Sequence, residues 1–150
     1  MLDIYIEFEN LIKKFNEAEL EYALCGGLAM AVYSYPRATV DIEFFVPENS
    51  IGALEKILTS SGFTIKSAPM KFQDGETIIH RFTKIDKSDD EFLSVDLILV
   101  TEKNKKAWED IKSINWKDET LKVVSRDGLI LLKMLRNSDQ DRVDIQKLKE

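Results

Sequence analysis

Acidic and apolar residues alternate in Val40-Asp41-Ile42-Glu43-Phe44-Phe45-Val46, and this segment limits the possible folds more than any other. Its β-branched and aromatic content, closed by Pro47, marks a strand. Alternate side chains on a strand point to opposite faces, so Val40, Ile42 and Phe44 share one face and Asp41 and Glu43 the other. Two carboxylates two residues apart repel, and no lysine lies on the strand to relieve them. They are either the solvated face of an edge strand or ligands for a hard divalent cation, which takes its oxygens from neighbouring carboxylates. Asp96 bears on that choice. It sits in FLSVDLILV, where nearly every neighbour is apolar. A buried carboxylate is unfavourable unless hydrogen-bonded, for example to a helix N-terminus, or coordinated to metal. Three acids on two strands of one sheet form a two-metal constellation.

The rest of the chain supplies the elements around this pair of strands. Tyr5, Phe8, Leu11, Ile12 and Phe15 recur at helical spacing, predicting a helix over about 3–17. EYALC (21–25) reads as a short strand meeting Gly26-Gly27, and LAMAVYSY from Leu28 as a helix closed before Pro36. Ser50 is placed to cap a helix carrying Ile51, Leu54, Ile57 and Leu58, with Gly62 just past its end. Segments 63–67, 78–85 and 91–100 read as strands, and 103–112 as a helix. INWKDETLKVV suggests a short hairpin, and Ser125 and Ser138 each start a helix. No linker or repeat divides residues 1–150, so the expectation is one α+β domain, a mixed β-sheet with helices packed on it.

Composition narrows the chemistry. The formal net charge of −6 argues against non-specific coating of nucleic acid. A single cysteine, Cys25, allows no internal disulfide and reads as a small buried hydrophobe. His80 is the only histidine, which removes HExxH zinc sites; in IIHRFTK it reads as a surface or packed residue. GxxxxGK[ST] and GxGxxG are both absent. Asp3, Glu7 and Glu9 interrupt the opening segment where a signal peptide would be basic and then apolar, and no apolar run approaches the ~20 residues that span a bilayer. The expectation is a cytoplasmic protein without membrane association.

Gly26-Gly27, between strand and helix, permits close approach of a ligand to the backbone, a geometry suited to phosphate, although a plain tight turn has the same signature. In order along the chain come strand, Gly-Gly, helix, Arg37, Thr39, Asp41-Ile42-Glu43, a second helix and a strand bearing Asp96. This arrangement resembles the nucleotidyltransferase superfamily, with its glycine pair, acidic-x-acidic strand and third acidic strand. CGGLAMAVYSYPRATVDIEFFV is similar to the AbiEii-like branch, toxins of bacterial toxin–antitoxin pairs, whose members read GG-x-A and then R-x-T-x-D-I-D. DGLILLKMLRNSDQDRVDIQKL resembles that branch's C-terminal helix pair, with Lys133, Asp141 and Asp144 at the matching places.

The resemblance implies a nucleotidyltransferase-like fold and transfer of a nucleoside monophosphate from a magnesium-bound nucleoside triphosphate to a hydroxyl of transfer RNA or protein, with an antitoxin as partner. It implies that Gly26 and Gly27 hold the triphosphate, that Arg37 and Thr39 belong to the same nucleotide site, that Arg37 and Lys133 contact phosphate, and that Lys133 is catalytic with the three acids. It further implies that Asp41, Glu43 and Asp96 bind two Mg2+ ions, Asp96 also accepting the attacking hydroxyl's proton. Glu43 stands where the branch usually has aspartate, and so favours an alternative, a catalytically inactive relative that binds nucleotide or a protein partner. Other charges have simpler readings. Asp141 fits a Ser-x-x-Asp cap after Ser138 as well as a catalytic role, Asp144 and Arg142 fit exposed helix charges, and Lys103, Lys105 and Lys106 fit a solvated helix face.

Overall fold

Asp41–Val46 (β2) does form a strand, and it lies at the centre of an eight-stranded mixed sheet. The computed structural model describes all 150 residues. Helix Ile4–Glu17 (α1) is followed by β1 (Ala23–Cys25), α2 (Gly26–Val32) and β2, and then by α3 (Ile51–Ser60). Next come β3 (Ile65–Lys66), β4 (Met70–Phe72), β5 (Thr77–Asp86) and β6 (Glu91–Leu99). Helix α4 (Lys105–Glu109), the hairpin β7 (Lys112–Trp116) and β8 (Glu119–Val123), and helices α5 (Arg126–Arg136) and α6 (Asp139–Leu148) complete the chain. The strand order is β3-β5-β6-β2-β1-β8-β7, with β4 also pairing with β5. β2 runs parallel to β6 and β1 parallel to β8, while the other pairs are antiparallel. The fold class is α+β.

The two faces of β2 are covered differently. Ile42, Phe44 and Val46 are fully buried. Phe44 packs edge-on against Phe15 of α1 and against Tyr22, with ring centroids 5.2 and 5.8 Å away. α1 itself is started by the Asp3 carboxylate, which accepts from the Tyr5 and Ile6 amides. On the opposite face Phe45 meets Trp108 of α4 at 5.7 Å, and the charged end of that face, Asp41 and Glu43, lies toward α5 and α6.

Several expected boundaries shift for local reasons. Val40 lies outside β2 and is 80% exposed, so it does not join the apolar face of Ile42 and Phe44. The helix after the glycine pair begins at Gly26 and ends at Val32, because Ser34 takes a left-handed φ of 73° before Pro36 is reached. Ser50 makes no capping bond: a 3-10 turn, Glu48–Ser50, runs into α3 and already holds Ser50 at helical angles. Segment 63–67 keeps only two paired residues, β4 is a strand that SAPMKF did not suggest, and the 103–112 helix stops at Glu109 because β7 starts at Lys112. Tyr5, counted on the apolar stripe of α1, is 57% exposed.

Candidate active site

Register brings the acids together. Glu43 of β2 is the direct partner of Asp96 on β6, and Asp41 pairs with Ser94 two positions earlier. Residues opposite one another in a sheet share a face, so all three carboxylates point to the same side. Arg81 of β5 is the partner of Asp96 on its other flank and points the same way. A cleft of about 500 Å3 opens over them, lined by Asp41, Glu43, Asp96 and three arginines, Arg37, Arg81 and Arg136. Met70, Phe72 and Ile79 form its apolar wall.

Each carboxylate has a different environment. Asp96 is almost fully buried, and both its oxygens accept from Arg81, Nε at 2.7 Å and Nη2 at 2.8 Å. Its burial is therefore compensated by a guanidinium rather than by a helix N-terminus. Glu43 accepts from Arg136 Nη1 at 2.5 Å through Oε1. Asp41 has only weak partners, the Thr39 hydroxyl at 3.4 Å and Arg81 Nη2 at 3.9 Å. Burial, reinforced by the Glu43 and Asp96 charges, pushes the Asp41 carboxyl up to about 6, and Arg81 and Arg136 offset this only in part.

Behind the cleft the helix pair α5–α6 carries a chain of alternating charges. Arg136 bonds Asp141 at 3.0 and 2.9 Å as well as Glu43. Lys133, 2% exposed, donates to Asp144 at 2.8 Å and lies 3.7 Å from Asp141. Asp144 also accepts from Arg37 at 3.1 and 2.8 Å and from Gln140 at 2.9 Å. Burial would raise Asp144, but these donors outweigh it and hold the carboxyl at about 2. Asp144 is thus a buried anchor, not the exposed helix charge that its spacing suggested. Asp141 does form the capping box with Ser138, and burial's upward push on it is overcome by Arg136.

The glycines have a direct structural cause. Gly26 takes φ +67°, and a Cβ there would land on the Glu43 carboxylate. A Cβ on Gly27 would lie 2.8 Å from Thr39 Oγ1 and 3.2 Å from Arg37 Nη1. Both glycines are buried, and the space beside them is taken by Glu43, Thr39 and Arg37.

Of the residues read from the sequence, Arg37, Thr39, Asp41, Glu43 and Asp96 line the cleft, while Lys133 lies behind it in the ion-pair chain. Arg81 and Arg136 were missed. Arg81 had a signal, since it alternates with Ile79 and Thr83 on the strand paired with Asp96, but the pairing is visible only in the fold. The tightest carboxylate grouping lies elsewhere, at the β5–β6 turn, where Asp86, Asp89 and Glu91 come together and the Met1 ammonium reaches Asp86 and Asp89.

No protein-family model and no curated protein sequence matches the chain. Solved structures do. A provisionally assigned nucleotidyltransferase of Thermotoga maritima, TM1012, aligns over 95% of this chain and 86% of its own, with a TM-score of 0.55 at 13% identity. ANT(2″)-Ia in complex with adenylyl-2″-tobramycin aligns over 94% and 84%, with a TM-score of 0.59 at 15% identity. The chain has the nucleotidyltransferase fold. JHP933 from Helicobacter pylori also aligns, over 96% of this chain and 63% of its own, at a TM-score of 0.51 and 16% identity. In this nucleotidyltransferase fold the charged cleft described above lies on the sheet face flanked by α5 and α6. No helix is long and apolar enough to cross a membrane.

Proposed function

We propose that the cleft transfers a nucleoside monophosphate from a nucleoside triphosphate to an acceptor hydroxyl. The observation that carries this reading is the convergence of Asp41, Glu43 and Asp96 from two parallel, register-matched strands on one cleft ringed by arginines. The donor set fits a hard divalent cation such as Mg2+. The Asp41 carboxylate is crowded by negative charge with no partner closer than 3.4 Å, a state that a cation would relieve. Asp41 and Glu43 are the residues that would hold it, with Asp96 beside them in its pair with Arg81. When bound, the ion would neutralise phosphate charge and polarise the phosphoryl group.

The chain's own contribution is positioning and electrostatics. Arg37 and Arg81, both partly exposed in the cleft, bind phosphate oxygens. Gly26 and Gly27 let Glu43, Thr39 and Arg37 stand close behind the triphosphate. Lys133 holds Asp144, and Asp144 in turn holds the Arg37 guanidinium. The acceptor oxygen attacks the α-phosphorus, the bond from that phosphorus to the oxygen bridging to the β-phosphate breaks, and pyrophosphate leaves. The hydroxyl proton passes to water in the open cleft. The block from Cys25 to Val46 supports a finer proposal, in which the acceptor is transfer RNA or a protein and the enzyme is a toxin restrained by an antitoxin.

The pairing of Arg81 with Asp96 and Arg136 with Glu43 favours a second reading, a non-catalytic relative that binds nucleotide or a protein partner in the same cleft. Calorimetry with each nucleoside triphosphate, with and without Mg2+, followed by a transfer assay, separates the two. Binding with transfer supports the enzyme, binding without transfer supports the relative, and no binding by any triphosphate removes both nucleotide readings.

A further inference from the structure

Asp96 has both oxygens committed to Arg81, whereas Glu43 has one oxygen committed to Arg136 and Asp41 has neither engaged closely. Asp96 and Arg81 are cross-strand partners, so the sheet itself aligns the guanidinium fork with the carboxylate. Both oxygens of Asp96 are engaged, at 2.7 and 2.8 Å, and the carboxylate is only 2% exposed. A bidentate arginine pair of this kind is among the strongest charge-assisted contacts a carboxylate makes, and the guanidinium never loses its proton. Moving Arg81 aside would leave a buried, uncompensated charge, which is strongly unfavourable. Meanwhile 38% of the Arg81 side chain remains exposed, its Nη2 lies 3.9 Å from Asp41 Oδ2, and Nη1 makes no protein hydrogen bond.

Asp41 and Glu43 contrast with this. The Asp41 carboxylate has no hydrogen-bond or ion-pair partner closer than 3.4 Å, and Glu43 keeps Oε2 beside Gly26 without a hydrogen-bond donor while Arg136 takes Oε1. Resting on the nucleotidyl-transfer reading above, we infer that Arg81 takes the place of one of the two cations that the sequence resemblance implies. The cleft then holds a single divalent ion, on Asp41 and Glu43. Arg81 provides the second positive charge next to it, and offers Nη1 to a phosphate oxygen. Asp96 acts as the positioning residue for that guanidinium, and neither of its oxygens is free to take a proton from the attacking hydroxyl.

The test is Mn2+ binding to the full chain without nucleotide, followed by electron paramagnetic resonance, in wild type, Arg81→Met and the charge-balanced pair Arg81→Met/Asp96→Asn. Wild type is expected to bind one ion. Arg81→Met, which frees the Asp96 carboxylate, should bind Mn2+ about tenfold more tightly or take a second ion, because an opposing charge a few ångströms away has been removed. The double variant should return to one ion with affinity within about threefold of wild type, since neither residue is a ligand in the native site. It leaves no buried charge unpaired, so its comparison with wild type decides the matter even if Arg81→Met does not fold. A double variant bound about tenfold more weakly than wild type would make Asp96 a metal ligand and overturn the inference. Equal binding by wild type and Arg81→Met would overturn it too, while leaving the nucleotidyl-transfer reading intact. Absence of Mn2+ binding in all three variants would overturn both. Binding by Arg81→Met alone would also overturn the inference, because the native cleft would then hold no ion beside Arg81.

Discussion

Replacing Asp144 by asparagine perturbs the charge chain at the group on which most of it depends. Asp144 is fully buried and accepts four bonds, two from Arg37 and one each from Lys133 and Gln140. Asparagine keeps the shape but removes the charge, leaving the buried Lys133 ammonium with Asp141 alone, at 3.7 Å. Breaking one partner of a buried pair typically costs about 3–5 kcal/mol. Arg37 retains 23% of its side-chain exposure and can turn to water, which places the expected loss near the lower end, at about 3 kcal/mol. For a domain of this size that lowers Tm by roughly 6–12 °C. Urea unfolding followed by the fluorescence of Trp108 and Trp116 measures the loss directly. Acid provides an internal control. The native carboxyl titrates at about 2, below its unfolded value, so its stabilisation is complete above the unfolded pKa, about 4, and disappears as pH falls toward 2. The difference between wild type and Asp144→Asn should shrink over that window. A loss under about 1 kcal/mol at pH 7, or a difference unchanged at pH 2.5, would refute the reasoning. The pair Lys133→Met/Asp144→Leu should recover much of the loss, since no buried charge is then stranded.

Asp41 gives a prediction of opposite sign. Its native carboxyl titrates at about 6, above the unfolded value, so without metal the chain should lose stability as pH rises from about 4 through 6. Asp41→Asn should abolish that slope and raise Tm at pH 7.5, and a flat wild-type profile over the window would contradict the crowding of the three acids. Gly26→Ala should destabilise by about 2 kcal/mol or more, because it forces alanine into φ +67° and drives its methyl onto Glu43. An alanine variant as stable as wild type in thermal unfolding would show that Glu43 can move freely.

What the sequence made legible follows from where the physics is local. Alternation along Val40–Val46 and the apolar run around Asp96 are properties of single strands, and both strands formed with their acids on one face. The Ser138 capping box and the Ser125 cap are likewise short-range, and both formed as read. The partners of those acids were not legible, because Arg81 and Arg136 reach them across pairings 15 and 93 residues apart. Asp144 looked like an exposed helix charge because its burial depends on Arg37, 107 residues away. The glycine pair shows both sides. Its place before a helix was plain, but the need for Gly26 comes from Glu43, which only the β1–β2 pairing brings alongside.

Label transfer tests the central claim most directly. Purified wild type and Asp41→Asn would be incubated with Mg2+ and each nucleoside triphosphate carrying label at either the α- or the γ-phosphate, with RNA and protein fractions offered as acceptors. The account predicts that wild type attaches α-label, never γ-label, to one acceptor fraction with release of pyrophosphate, and that Asp41→Asn, folded and at least as stable, attaches none. Transfer of γ-label would contradict it, as would α-label transfer that survives the loss of Asp41.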